Sequence, residues 1–419
     1  MTRFADTILW HVYPLGFVGA EAAGEPGLEV RHRLGRIEHW LDHLIALGAN
    51  GLQLGPVFES ETHGYDTRDH FRIDPRLGDD GDFDRLVAAA HERGIAVVLD
   101  GVFNHVGRSF PRFVAAEAGD PGAASWFVRT EGGWKDFEGH GALVALDHEQ
   151  AAVREHVVAV MRHWLDRGAD GWRLDAAYAI PASSWRAITD AVRRSHSDAW
   201  LLGEVIHGDY AAFVAESGLD SVTQYELWKA TWSSLNVPNL WELAWTLGRQ
   251  AELLVSFLPT VFLGNHDTTR IASALTDPRH LEHAVTVLLT VGGIPAIYSG
   301  DEWGFRGVKE DRAGGDDAVR PPFPDEPGGL PPDGEPVFRL HQRLIGLRRR
   351  HRWLVDARYE QLHLDNEVLV YRMTARTGDA ALTVVLNAGD GDAPYAPGPG
   401  ERVLEGALAP HRAAVIGLA

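Results

Sequence analysis

Eight short apolar runs alternate with segments of helical periodicity, and this alternation constrains the fold more than any other feature of the sequence. Strands that alternate with helices form a parallel sheet, and eight such strands favour a closed (β/α)8 TIM barrel. An open doubly wound sheet is the alternative architecture. The apolar runs span residues 8–17, 48–56, 94–102, 168–176, 200–205, 219–225, 258–267 and 292–302.

Two irregularities divide the chain of 419 residues into predicted units. The connection between the third and fourth runs is too long for one crossover helix, which predicts a short inserted subdomain after strand three. After the eighth run, a loop rich in proline, glycine and aspartate precedes a helical segment and then a β-rich segment. The predicted units are a barrel over 1–104 and 166–352, the inserted subdomain over 105–165, and a C-terminal antiparallel β-sandwich domain over 353–419.

Composition limits the partners that the chain can have. A formal net charge of -20 argues against nucleic acid and against an anionic membrane surface. No apolar stretch approaches the roughly 18 residues of a membrane span. The sequence has no cysteine, which excludes disulfides and cysteine metal sites, and it shows no signal-peptide pattern. We therefore expect a cytoplasmic protein with a neutral substrate.

Polar residues collect where the predicted strands end, which is where barrel enzymes place their active sites. Any one of these residues could be a helix cap or a loop ion pair. Independent caps, however, have no reason to bring carboxylates, an arginine and two histidines to the same end of a barrel. This pattern predicts an active site. Its candidate residues are Asp100, Asn104, His105, Arg173, Asp175, Glu204, His266 and Asp267.

Four motifs at these strand ends resemble the conserved regions of the α-amylase superfamily, glycoside hydrolase family 13. In chain order they are DGVFNH (100–105), GWRLDAAY (171–178), GEV (203–205) and FLGNHD (262–267). GEV alone carries little information, whereas the ordered set is specific. The stretch PVFESETHGYDTRDHFRIDPRLG (56–78) resembles the neopullulanase, cyclomaltodextrinase and maltogenic amylase branch. The resemblance implies a barrel glycosidase that acts on α-glucans.

The resemblance assigns three catalytic carboxyl groups. Asp175 matches the nucleophile, Glu204 the general acid/base, and Asp267 the carboxylate that favours the distorted, oxocarbenium-like ring. Residues two apart in a strand share a face, so Arg173 lies beside Asp175 and would keep it ionised. Burial and nearby negative charge would raise the pKa of Glu204. Retaining hydrolysis needs the two reacting carboxyl groups about 5–5.5 Å apart.

Further positions match sugar-binding residues of the family. His105 and His266 match histidines that hydrogen-bond sugar hydroxyls, and a metal site is the alternative role for this pair. Tyr65 matches a tyrosine that stacks on the sugar at the cleavage subsite, and Asp66 braces the site through its loop. The predicted substrate-binding set is Tyr65, Asp66, His105, Arg173, His266, Asp316 and Arg320.

Two further positions match residues of the family. In GGDDAVR, Asp316 and Arg320 resemble the residues that hold the next sugar, although the register leaves Asp317 as an alternative to Asp316. Asn104 matches a calcium-ligand position of many amylases. The predicted insert is short, and AYAI (177–180) lacks the histidine of calcium-dependent members. We therefore expect no calcium at Asn104, no other metal and no required cofactor.

The sequence also departs from the branch that it resembles. The chain starts close to its first predicted strand, so we expect the N-terminal β-domain of that branch to be missing. We expect a monomer, or a homodimer formed through another surface. After the nucleophile the branch tends to have Val-Ala-Asn-Glu, where this chain has Ala176 to Ala179 (Ala-Ala-Tyr-Ala). This difference leaves the choice of substrate open.

The expected activity is hydrolysis of α-1,4-glucosidic bonds in maltooligosaccharides or small cyclic α-glucans, with a covalent glycosyl-enzyme intermediate. Two alternatives remain. A transglycosylase or glucosyl isomerase would use the same chemistry with a sugar in place of water. An inactive, amylase-like binding subunit belongs to another class, but such relatives typically lose the carboxylates that this chain retains.

Overall fold

A barrel of eight parallel strands forms the centre of the computed structural model, which describes residues 4–25, 27–312 and 314–418. Each strand pairs in parallel with the next, β8 returns to β1, and Thr223 bridges to Thr260 between β6 and β7. The eight predicted strands and the barrel are therefore confirmed. Strands β1 to β8 are Leu9–Val12, Gly51–Leu54, Ala96–Gly101, Gly171–Leu174, Trp200–Gly203, Ser221–Val222, Thr260–Phe262 and Ile294–Tyr298.

The strands are shorter than the apolar runs that predicted them. In the first run, residues 8–17, the strand ends at Val12, and Pro14 begins a short helix. Proline has no N–H group to donate to the strand ladder, yet its ring packs as well as any apolar side chain. Apolar character therefore marks the buried segment, and the hydrogen-bonded strand occupies only part of it.

Helices surround the barrel. The segment around residues 34–47 forms two short helices separated by His39 and Trp40, and Ile45 is exposed although its neighbour Leu44 is buried. Helices α1 to α14 are Pro14–Phe17, Leu34–Glu38, Leu41–Leu47, Asp80–Glu92, Pro111–Glu117, Pro121–Ala124, Ala151–Asp166, Ala182–Arg193, Tyr210–Ser217, Tyr225–Asn236, Trp241–Leu253, Ile271–Ala274, Leu281–Thr290 and Glu335–Arg350. The 3-10 turns are Ala177–Ala179, Pro278–His280, Asp301–Trp303, Asp317–Val319, Pro327–Gly329, Pro332–Gly334 and Arg352–Asp356.

A small subdomain follows β3, but it is shorter than the predicted range 105–165. Its apolar residues, among them Phe113 and Phe127, form a separate cluster. Helix α7 lies within the predicted range but packs Val157 and Trp164 into the barrel core. The predicted boundary at residue 165 is wrong because α7 is the helix that leads into β4. The strands of the subdomain are His105–Gly107, Arg129–Thr130, Gly133–Trp134, Asp136–Phe137 and His140–Ala145, and a hairpin before α4 has strands Phe58–Ser60 and Thr67–Ile73.

The C-terminal segment forms one antiparallel sheet of five strands. One face, including Tyr371 and Val384, joins the barrel core, and the Tyr371 hydroxyl lies 2.9 Å from Thr290 Oγ1 on α13. The predicted β-sandwich is wrong for the described residues, because helices rather than a second sheet cover this face. Strands β9 to β13 are Arg358–Leu364, Val368–Thr374, Ala381–Asn387, Glu401–Gly406 and Arg412–Leu418. They lie in the sheet in the order β9-β10-β11-β13-β12.

In the described part of the chain, no helix combines the length and the apolar character that crossing a membrane would require.

The position of α7 predicts a large effect at Trp164. Its indole is buried against Phe58 and Phe83, and Nε1 donates to the His70 carbonyl at 2.8 Å. We expect Trp164→Ala to lower the free energy of unfolding by about 3–5 kcal/mol, since a large cavity replaces the ring. Urea unfolding measures this loss. Trp245→Ala, at a position that is 63% exposed, is the matched control and should cost less than about 1 kcal/mol. Equal losses would contradict the packing described.

Candidate active site

The Arg173 guanidinium joins three carboxylates at the carboxyl end of the barrel. Its Nη1 donates to Asp175 Oδ1 at 2.8 Å and to the two Asp100 oxygens at 2.8 and 3.0 Å. Its Nη2 lies 2.7 Å from Glu204 Oε1. The contacts follow from the topology, because β4 lies between β3 and β5 and places Arg173 opposite Asp100 and Leu202. Strand pairing therefore brings three predicted strand-end residues onto one cation.

The two alanines after Asp175 have a structural explanation. Ala176 adopts a left-handed conformation (φ 44°), and its N–H donates to Glu204 Oε2 at 3.0 Å. This conformation is unfavourable for a non-glycine residue and especially so for a β-branched one. The Ala177 side chain lies close to Gly203 on β5, where space is limited. Small residues therefore let the chain turn sharply and direct a backbone donor at Glu204.

Asp267 is held separately from the other carboxylates. Arg320 Nη2 donates to its Oδ1 at 2.7 Å, and His266 Nε2 lies 2.9 Å from its Oδ2. Although burial opposes ionisation, His266 and Arg320 hold the pKa of Asp267 well below its usual range. Asp316 Oδ2 lies 3.1 Å from Arg320, which places Asp316 rather than Asp317 at this ion pair. The cluster therefore contains one carboxylate that stays anionic.

For the three carboxyl groups around Arg173, burial outweighs the attraction of the cation. It raises the pKa of Asp100 to about 8 and raises the pKa values of Asp175 and Glu204, while Arg173 opposes the shift in each case. One guanidinium cannot compensate three buried negative charges. Burial therefore favours the protonated forms of these carboxyl groups, and Arg173 limits that effect.

The carboxylates open into a cleft of about 400 Å³. Asp175, Glu204 and Asp267 line it, together with the predicted residues Tyr65, His105, Asp316 and Arg320. His105 Nε2 lies 4.0 Å from Asp175 Oδ2 and has no hydrogen-bond partner among the described residues. A buried polar nitrogen at the cleft is positioned to bind a ligand hydroxyl.

Three residues of the predicted substrate-binding set do not line this cleft. The Asp66 carboxylate is bonded to the backbone N–H and the hydroxyl of Thr62, so it holds its own loop. Arg173 and His266 line a small cavity below the cleft floor. His266 is covered because it stacks between Tyr13 and Tyr65, at centroid distances of 5.6 and 5.3 Å. These packing contacts join distant segments, so the motifs did not show them.

The structure also adds residues that the sequence interpretation missed. The Tyr225 hydroxyl donates to Glu204 Oε1 at 2.9 Å and accepts from Asn265 Nδ2 at 2.8 Å. The Tyr178 hydroxyl donates to Glu138 Oε1 of the subdomain at 2.8 Å, and both residues line the cleft. Asp100 was a strand-end candidate without an assigned role. Its position next to Arg173 in the parallel ladder was the available signal.

Asn104, the predicted calcium-ligand position, lies at the start of the subdomain. Its Nδ2 is 3.1 Å from His105 Nδ1, and its carbonyl accepts from the Leu146 N–H at 3.0 Å. Its side chain therefore orients a histidine of the cleft. The expectation that Asn104 binds no calcium stays a prediction.

Comparison with known proteins identifies the family. The family described as "Alpha amylase, catalytic domain" matches residues 12–140 and 137–326. The chain belongs to the α-amylase family. It is 31% identical over 338 residues to a cyclomaltodextrinase from a Bacillus species, covering 72% of this chain, and 28% identical over 415 residues to neopullulanase 2 of Thermoactinomyces vulgaris, covering 91% of it. The predicted family and its cyclomaltodextrinase and neopullulanase branch are confirmed.

Solved structures of the family extend the comparison to the whole chain. The ligand-free cyclic α-maltosyl-(1→6)-maltose hydrolase of Arthrobacter globiformis superposes with a TM-score of 0.81 at 25% identity and covers 99% of both chains. The α-amylase family chain spans 60% of the length of the Bacillus cyclomaltodextrinase and 69% of neopullulanase 2. The barrel and the C-terminal sheet are therefore shared with the solved relative over nearly its full length.

The Arg173 contacts predict a pH-dependent stability change. Arg173→Met leaves buried carboxylates without their cation, which should lower the free energy of unfolding by about 3–5 kcal/mol at pH 9. Arg173 attracts only ionised carboxylates, so its contribution falls as they protonate, and the loss should be smaller at pH 5. Chemical denaturation at both pH values measures it. Arg350→Met, at an exposed position, is the control. A loss that does not depend on pH would contradict the charge assignment.

Proposed function

We propose that this protein is a retaining glycosidase that cleaves α-1,4-glucosidic bonds in maltooligosaccharides or small cyclic α-glucans. The observation that carries the proposal is the guanidinium of Arg173, which contacts both Asp175 and Glu204 at the cleft floor. Two carboxyl groups held by one guanidinium favour the spacing of about 5–5.5 Å of a retaining mechanism over the 6.5–9.5 Å of an inverting one. Relatives named cyclomaltodextrinase and neopullulanase support the substrate class.

The reaction has two steps. In the first, Asp175 attacks the anomeric carbon while Glu204 protonates the departing glycosidic oxygen, which leaves a glycosyl ester on Asp175. In the second, Glu204 removes a proton from water, and the hydroxide formed displaces Asp175 from the anomeric carbon. Two inversions give overall retention and restore both carboxyl groups. The raised pKa of Glu204 suits the proton donor of the first step.

The remaining cleft residues position the sugar. Asp267, anionic through its contacts with His266 and Arg320, stabilises the positive charge that develops on the ring. The unpaired Nε2 of His105 binds a sugar hydroxyl, and the ring of Tyr65 offers a stacking surface. Arg320 and Asp316 hold the adjoining sugar. In this proposal His266 acts through Asp267, because it lies below the cleft surface.

The proposed steps require no metal ion and no other cofactor, because the carboxyl groups and Arg173 supply the acid, the base and the charge stabilisation. We also propose a cytoplasmic location, which the absence of cysteine suits. The protein acts as a monomer or as a homodimer.

Carboxyl substitutions test the mechanism. Asp175→Asn removes the nucleophile and Glu204→Gln removes the proton donor, so each should lower kcat on maltotriose and on β-cyclodextrin by at least about 10²–10⁴-fold. Reducing-sugar release measures activity, and the melting temperature shows that the variants remain folded. Asp190→Asn, at an exposed position on α8, is the control and should retain full activity. Unchanged turnover in either active-site variant would contradict the assignment.

The products separate hydrolysis from transfer. Chromatography of reactions with maltose, maltotriose, cyclodextrins, pullulan and starch at high concentration should show only products with no more glucose units than the substrate. Oligomers longer than the substrate would show that a sugar resolves the intermediate, and this result would favour the transglycosylase alternative.

A further inference from the structure

A second cluster of ligand-type side chains lies between the barrel and the C-terminal sheet. Asp277 caps the 3-10 turn before α13, His280 ends that turn, and His411 lies in the turn between β12 and β13. His280 Nε2 lies 3.3 Å from His411 Nδ1. The ligand atoms of the three residues all lie within 4.8 Å of one another. None of these residues lines the catalytic cleft.

The other nitrogen of each imidazole fixes where its proton lies. His280 Nδ1 is 3.0 Å from the Leu235 carbonyl, which can only accept, so Nδ1 carries the hydrogen. His411 Nε2 is 2.8 Å from the Asp390 carboxylate, so Nε2 carries the hydrogen in that ring. In the neutral rings, the two nitrogens that face each other therefore both present lone pairs. Such a contact is unfavourable unless a proton or a metal ion lies between the two nitrogens.

We propose that Asp277, His280 and His411 bind a divalent transition metal ion, and that zinc fits the site best. Two nitrogen ligands at about 2.0–2.1 Å from zinc in tetrahedral geometry are separated by about 3.3 Å, which is the separation observed. The Asp277 carboxylate supplies a third ligand, and water completes the tetrahedron. The Leu235 carbonyl and Asp390 orient the two rings, as outer partners do in zinc–histidine sites.

Neighbouring groups affect the site. Arg279 competes for the Asp277 carboxylate: Nη2 lies 2.6 Å from Oδ2, Nε lies 3.0 Å from both oxygens, and the backbone N–H donates to Oδ1 at 2.9 Å. Because the Arg279 side chain is 57% exposed, water can replace its contacts when a metal ion binds. His283 stacks edge-on against His280 and uses its Nε2 on the Asn387 carbonyl. Arg412 is neutralised by Glu282. The bound ion would therefore join the barrel to the C-terminal sheet.

Zinc binding by the full chain tests the proposal, and it does not depend on the proposed activity. The protein, without a polyhistidine tag, is treated with EDTA, dialysed and titrated with zinc chloride in a calorimeter. We expect one zinc ion per chain at this site and a rise in melting temperature that EDTA reverses.

His411→Asn and His363→Asn form a matched pair on the same sheet. His411 has a positive φ of 55°, which asparagine tolerates, so this variant should fold. His363 is a partly exposed histidine paired with Asp365 at 2.9 Å. We expect His411→Asn to lose at least tenfold in zinc affinity together with the melting-temperature response. His363→Asn should behave as the unsubstituted protein does.

A second variant tests the proposal if His411→Asn fails to fold. Asp390→Asn changes a fully exposed carboxylate that only orients His411, and it should weaken zinc binding about tenfold. Failure of the unsubstituted protein to bind zinc would overturn the proposal. Equal zinc responses in the His411, Asp390 and His363 variants would also overturn it, because zinc would then bind at other residues.

Discussion

The ion pairs of Arg173 with Asp100, Asp175 and Glu204 are the interaction on which the cleft depends. They bring together residues from three neighbouring strands, and they allow three carboxyl groups to be buried within a few ångströms of one another. Because one cation cannot compensate all three, burial raises their pKa values. The pKa of Asp267, which has its own arginine, is held well below its usual range. In the proposed mechanism this unequal distribution of charge gives chemically similar side chains different roles.

Much of the fold and the carboxylate cluster could be predicted from the sequence, because both depend on local patterns. Eight apolar runs gave eight strands, and residues at strand ends meet in any parallel barrel. The position of His266 was not predictable, since it depends on stacking with Tyr13 and Tyr65 from distant segments. Tyr225 was missed for a similar reason. It begins α10, where apolar periodicity carries no information about the Glu204 carboxylate.

The errors in domain prediction have one physical cause. An apolar face predicts that something covers it but does not identify the element that does. The residues of β10 are mostly buried, as in a sandwich, yet α13 lies where a second sheet was expected. Helix α7 follows the subdomain without a change in composition, and Trp164 packs it against the barrel core. The same packing of α13 against the C-terminal sheet places His280 next to His411.

Trapping of the covalent intermediate tests the central claim most directly. The Glu204→Gln variant is incubated with 5-fluoro-α-D-glucosyl fluoride, whose fluoride leaves without acid assistance, and intact-mass and peptide analysis locate the product. The account predicts one added fluoroglucosyl group, attached as an ester to Asp175, because the variant lacks the base that activates water. No adduct, or an adduct on another residue, would contradict the assignment of Asp175 as the nucleophile held by Arg173.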